Sequence, residues 1–247
     1  MPSIDLNCDL GEGAGHDAEL MALITSASIA CGGHAGDEST MRTTVRMARQ
    51  HGVVIGAHPS FADKGHFGRR ELELSSDEIV EAVQNQVRIL QKIATDEGVT
   101  VRYVKPHGAL YNVSARMPAV AEAIALAVVE LNSGLVLYGL SGGELLRAGR
   151  AHGLVVKSEV FADRTYRCDG SLMPRDQPGS LIEDEGYAVA QMLRMMRVGR
   201  AVTVHGGEVG VTADTLCLHG DGRHAVKFAR SLRASLQREG VDVRSCV

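Results

Sequence analysis

Four times in this chain a short apolar run stops at a histidine that touches glycine or proline. IACGGH ends on His34, VVIGAH on His58, VRYVKPH on His107 and LCLH on His219. A fifth run, IDLNCD, closes on carboxylates instead, at Asp9 and then Glu12. Such runs read as short buried strands. In a parallel α/β sheet or barrel, ligands bind at the carboxyl ends of the strands, so polar residues far apart in sequence meet in one cleft. The histidines are therefore expected to face one another.

The stretch from Val101 to Asn112, VRYVKPHGALYN, sets a cation and an imidazole, Lys105 and His107, at one strand end. Between the runs, apolar periodicity marks helices. Asp37 to His51 carries Met41, Val45 and Ala48 on one face and stops at Gly52. Ser75 and Glu78 form a capping box before Ile79, Val83, Val87, Leu90 and Ala94. Pro118 opens another helix, residues 142–152 and 183–198 give two more, and Ala225, Ala229, Leu232 and Leu236 line a last one. Valines alternate around Gly206 and Gly207 as in a hairpin, and Val241 and Val243 suggest a short final strand. Seven strand-helix alternations without a Pro/Ser-rich linker predict an α/β fold, an irregular seven-stranded (β/α) barrel forming one domain over residues 1–247.

Composition narrows the function. In 247 residues, a net charge of −4 with scattered lysines and arginines disfavours nucleic acid and anionic membrane as partners. Aromatics are 4% with no Trp, which leaves little for stacking sugars. Five cysteines without regular spacing point to a reducing compartment. No basic segment leads into an apolar one at the N-terminus, so a soluble cytoplasmic protein is expected.

The candidate catalytic residues are Asp9, Glu12, His34, His58, Lys105, His107, Glu159, Asp163 and His219. Histidine titrates near neutrality and suits acid/base work. Imidazole and carboxylate also suit Zn, Mn and similar divalent ions, although no HxH or HExxH spacing fixes two ligands on one element. A histidine at a strand end also serves as a plain structural hydrogen-bonding residue. Lys105 would stabilise an anionic substrate or an oxyanion, or act as base or nucleophile if desolvation lowered its pKa; alternatively it pairs with Glu159 or Asp163. Arg69, Arg70 and Arg164 are guanidiniums able to grip a carboxylate or phosphate. With Arg70 and Arg164, Tyr111 of the same central block is a candidate substrate-binding residue. Cys8, Cys31 and Cys217 read as buried packing, with Cys31 a weak nucleophile candidate beside His34. The glycine-rich pieces at 11–15, 31–36 and 139–144 match neither phosphate-loop pattern.

Taken together, DLNCDLGEG (5–13), ACGGHAGD (30–37), GAHPSF with GRR (56–70), VKPHGALYN (104–112), EVFADRTY with DGSL (159–172) and CLHGDG (217–222) resemble the LamB/YcsF family over nearly the whole chain. The resemblance implies a barrel of the glycoside hydrolase/deacetylase type. It also implies a reaction: 5-oxo-L-proline, ATP and water give L-glutamate, ADP and phosphate, with the 5-oxoprolinase subunits B and C as partners and ATP handled with them. Two alternatives stay open: a metal-dependent amidohydrolase or deacetylase working alone, and a non-catalytic subunit that binds the lactam. Each reading is compatible with a homo-oligomer.

Overall fold

A computed structural model describes residues 2–175, 177–218 and 225–247. Strands β1 (Ser3–Leu10), β2 (Ser26–Ala30), β3 (Val54–His58), β4 (Val101–Val104), β5 (Val136–Leu140) and β6 (Val156–Phe161) pair in parallel and in order. A hairpin of β7 (Arg200–Val202) and β8 (Glu208–Gly210) stands apart, and β9 (Thr215–Leu218) then joins β6 to β1. Because β9 pairs with both, the sheet closes into a parallel seven-stranded barrel. A two-residue β10 (Asp242–Val243) extends the start of β1, through Ser3 and Ile4.

Around the barrel lie α1 (Asp17–Met21), α2 (Glu38–His51), α3 (Ser76–Asp96), α4 (Gly108–Arg116), α5 (Pro118–Leu131), α6 (Glu144–Ala151), α7 (Glu185–Val198) and α8 (Ala225–Arg238). Local chemistry sets their ends. Asp37 caps α2 by accepting from the Thr40 amide at 2.8 Å, and Gly52 ends it at φ 66°. The Ser75/Glu78 box starts α3, with Ser75 N donating to Glu78 Oε2 at 2.7 Å. Both α1 and α4 lie outside the sequence expectation. For α4 the reason is plain: His107 occupies the cap position without a capping side-chain bond, so no start signal is written there.

Strand alternation divides β1 into two faces. Ile4, Leu6, Cys8 and Leu10 join the apolar layer beneath the helices, with Val83, Val87 and Leu90 of α3 in the same core. Asp5, Asn7 and Asp9 are buried on the other face, inside the barrel. That interior is polar and filled. At one end Asp5 accepts from Thr25 (2.6 Å), Ser26 (2.7 Å), Thr215 (2.6 Å) and Tyr138 (3.2 Å). Burial is the main influence on this carboxyl and raises its pKa. Tyr138 stacks on Tyr103 at 4.1 Å, and Tyr103 hydrogen-bonds Ser28 at 3.0 Å. Ser245 and Cys246 lie under the same layer, 3.3 Å from Ser26 Oγ and 3.2 Å from the Tyr138 hydroxyl.

Gly56 makes room for this plug. A Cβ there would stand 2.2 Å from the Tyr103 ring, so β3 tolerates no side chain at that point. Gly56→Ala is expected to destabilise the fold by about 1–3 kcal/mol, the usual cost of overpacking a filled interior. Urea unfolding checks this, and an unchanged midpoint would contradict it.

Candidate active site

The chemistry gathers at the carboxyl ends of the strands. β1 delivers Asp9 and, just beyond its end, Glu12; the turn after β2 carries His34; His58 is the last residue of β3. Lys105 and His107 follow β4, and Glu159 sits on β6. His219 lies outside the described residues.

Lys105 is 2% exposed and its ammonium is surrounded by acceptors. Asp9 Oδ1 is 2.6 Å away, Asn7 Oδ1 2.7 Å, Glu159 Oε1 3.0 Å and Cys217 Sγ 3.3 Å. Burial opposes the charge, but Asp9, Cys217 and Glu159 outweigh it and hold the group well above its usual range. Lys105 is thus a fixed cation. The expected lowering of its pKa for base or nucleophile duty does not occur, and its partners are Asp9 and Glu159, not Asp163.

Asn7 is a site residue that sequence reasoning missed. Its Nδ2 donates to Glu159 Oε1 at 2.9 Å and to Thr215 Oγ1 at 2.7 Å, while its carbonyl accepts from Lys105. Counting β1 back in twos from Asp9 would have found it.

Beside Lys105 the three imidazoles pack face and edge. His34 and His107 stack with centroids 3.6 Å apart, and His58 meets His107 edge-on at 4.8 Å. Glu12 Oε1 is 2.9 Å from His34 Nε2 and 3.4 Å from His107 Nδ1. His58 Nε2 is 3.0 Å from His107 Nδ1 and 3.3 Å from Asp9 Oδ2. Glu12, His34, His58 and His107 form a possible metal-binding group, each offering one donor atom within 4.8 Å of the others. Burial lowers the pKa of His34 to about 4, and burial followed by His58 and His34 pushes His107 well below the ordinary value.

Phe67 fixes the outer side of this group. It has φ 56°, the one positive φ outside glycine among the described residues, and its carbonyl accepts from His107 Nε2 at 3.0 Å. Its ring stands edge-on to His34 and His107 at 5.2 and 5.4 Å.

Asp9, Glu12, His58, Lys105, His107, Tyr111, Glu159 and Arg164 all line one cleft of about 910 Å³, under which His34 is buried. The Tyr111 hydroxyl is pushed above its usual range by burial and then by Glu159. Two expected residues are elsewhere. Arg70 reaches Asp63 at 3.5 Å with its side chain 58% exposed, and its neighbour Arg69 lines the cleft instead. Asp163 is half-buried and outside the cleft lining. Arg164 spends donors on the Ser180 and Met173 carbonyls, which ties its long loop together, and burial lowers its pKa to about 10. Arg167 and Arg175 of that loop also line the cleft. Cys31 is no nucleophile, because burial lifts its thiol to about 12. Among the described residues no single helix is long and apolar enough to cross a membrane.

The model of the LamB/YcsF family matches residues 4–247. A protein of Brevibacillus brevis, named as the A component of 5-oxoprolinase, is 51% identical over 98% of this chain and 98% of its own length. The structure of a lactam utilization protein from Thermus thermophilus superposes with a TM-score of 0.91 at 44% identity, covering 98% of this chain and 99% of that one. The polysaccharide deacetylase Bc1974 from Bacillus cereus covers 100% of this chain and 93% of that one at a TM-score of 0.57 and 12% identity, a likeness of fold alone.

Two stability measurements probe the site. Lys105→Met removes the cation between Asp9 and Glu159 and is expected to cost on the order of 3–5 kcal/mol in urea unfolding, since it strands buried carboxylates. His34 has a folded pKa near 4 against 6.5 unfolded, so its contribution is fully present above about pH 6.5 and is lost as pH falls toward 4. Chelator-treated protein should hold its Tm from pH 8 to about 6.5 and then lose up to about 3 kcal/mol by pH 4, a fall that His34→Gln reduces.

Proposed function

The chain belongs to the LamB/YcsF family, and from that premise we propose that it is the ring-opening component of an ATP-dependent 5-oxoprolinase. It would cleave 5-oxo-L-proline to L-glutamate, coupled to hydrolysis of ATP to ADP and phosphate. The observation that supports this reading most is the 51% identity, across nearly the full length of both chains, with a protein named as the A component of 5-oxoprolinase. In this reading residues 1–247 act as one cytoplasmic barrel domain, subunits B and C are its partners, and ATP is handled with them.

The cleft suits that chemistry. A lactam carbonyl is a poor electrophile, so opening it near neutral pH needs an activated oxygen, a positioned water and a proton for the departing nitrogen. Phosphorylation of the lactam oxygen by ATP supplies the activation. Asp9 lines the cleft with one oxygen on Lys105 and the other toward His58, which places it to take a proton from the attacking water. That proton then goes to the ring nitrogen as the carbon-nitrogen bond breaks, which leaves the amine of glutamate and an acyl phosphate at the former lactam carbon, and a second water cleaves the acyl phosphate to the carboxylate and free phosphate. Lys105 keeps Asp9 oriented. Arg69 and Arg164 are the cleft guanidiniums for the substrate carboxylate or the phosphoryl group. The Glu12 and histidine group borders the same cleft, where a divalent cation or a shared proton would supply positive charge to the carbonyl.

The donor-rich group also favours a second reading, a metal-dependent amidohydrolase that works alone. One assay separates the two: glutamate released from 5-oxoproline and ATP by this chain, by subunits B and C, and by all three together. Release only in the complete mixture is expected, with Asp9→Asn lowering the rate roughly 10²–10⁴-fold while the chain stays folded. Ring opening by this chain without partners would favour the second reading, and no glutamate in any mixture would overturn the first.

A further inference from the structure

We propose that Glu12, His34, His58 and His107 bind one divalent transition-metal ion of the zinc, manganese or cobalt class. The argument begins with hydrogen bonds. His58 Nδ1 lies 2.7 Å from the Lys105 carbonyl and His107 Nε2 lies 3.0 Å from the Phe67 carbonyl. A carbonyl only accepts, so both of those nitrogens carry their hydrogens. The opposite nitrogens, His58 Nε2 and His107 Nδ1, then present lone pairs to each other at 3.0 Å. Two acceptors at that distance repel unless a cation lies between them.

More acceptors converge on the same space. Glu12 Oε1 is 3.4 Å from His107 Nδ1 and 3.9 Å from His58 Nε2, and Asp9 Oδ2 is 3.3 Å from His58 Nε2. A single shared proton reconciles one pair of these atoms and leaves the others opposed. A metal ion reconciles them together. Donors about 2.1 Å from a tetrahedral metal stand about 3.4 Å apart, and the contacts of 2.9, 3.0, 3.4 and 3.9 Å bracket that spacing.

Charge and surroundings agree. Asp9, Glu12 and Glu159 bring three carboxylates to this end of the barrel, where Lys105 contacts Asp9 and Glu159. Ligating histidines characteristically donate their second N–H to a carbonyl or carboxylate, as His58 and His107 do here. The buried Nδ1 of His34 has no hydrogen-bond partner among the described residues, so that ring is not confined to one tautomer. Glu12, His58 and His107 open on the cleft, which gives an ion its path in. Three imidazoles with one carboxylate select transition metals over Mg²⁺ and Ca²⁺, which prefer oxygen.

This inference stands on donor geometry and is read without substrate, so its failure and that of the lactam reading are separate results. The test is calorimetric titration of Zn²⁺, Mn²⁺, Co²⁺ and Mg²⁺ into the chelator-treated full chain, with metal content after gel filtration. One equivalent of a transition metal, no measurable Mg²⁺, and a Tm that rises with metal concentration are expected. Glu12→Gln and His107→Gln, confirmed folded by circular dichroism, should each weaken binding at least about 100-fold, while His152→Gln, on the outer surface, should not. A wild-type chain that takes up none of these ions, or folded variants that bind as wild type does, would overturn the assignment.

Discussion

The ammonium of Lys105 is the interaction on which the rest of the barrel depends. Burying it demands several acceptors in fixed places, and they come from three other strands: Asn7 and Asp9 on β1, Glu159 on β6, and Cys217 on β9. A shift of one residue in β1 would turn Asn7 and Asp9 out toward the helices and bring Leu6 and Cys8 inward. The charge therefore helps to set the register of the closing strands. It also hands on orientation, because Asp9 is shared with His58, and His58 with His107.

Much of the architecture was legible in the chain. The strand ends could be read because each apolar run stops at Gly, Pro or a polar side chain, and α2 and α3 because their caps are spelled out in Asp37, Gly52, Ser75 and Glu78. The hairpin of β7 and β8 follows from alternating valines. The convergence of Asp9, Glu12, His34, His58, Lys105 and His107 is what strand-end placement anticipates in a parallel barrel.

The remainder was hidden for physical reasons. A barrel interior filled with Asp5, Asn7, Tyr103 and Tyr138 goes against the rule that strands bury apolar side chains, so those residues gave no signal as a set. Direction within a loop is equally opaque: Arg69 faces the cleft and Arg70 turns to Asp63, though the two are adjacent. The same holds for Glu159 and Asp163, one within β6 and one past its end. The behaviour of Lys105 depends on partners about 50 to 110 positions away, and desolvation alone would suggest the opposite shift.

The stacked pair of Tyr103 and Tyr138, with Asp5 and the Ser245 and Cys246 tail beneath it, makes the barrel a blind well. Among the described residues the plug closes that end, so what enters from the cleft leaves by the same mouth. Reactant, water and product therefore queue at one doorway, and any chain that docks over it holds the traffic of all three. Turnover then depends on how long the doorway stays covered as well as on how fast bonds change inside.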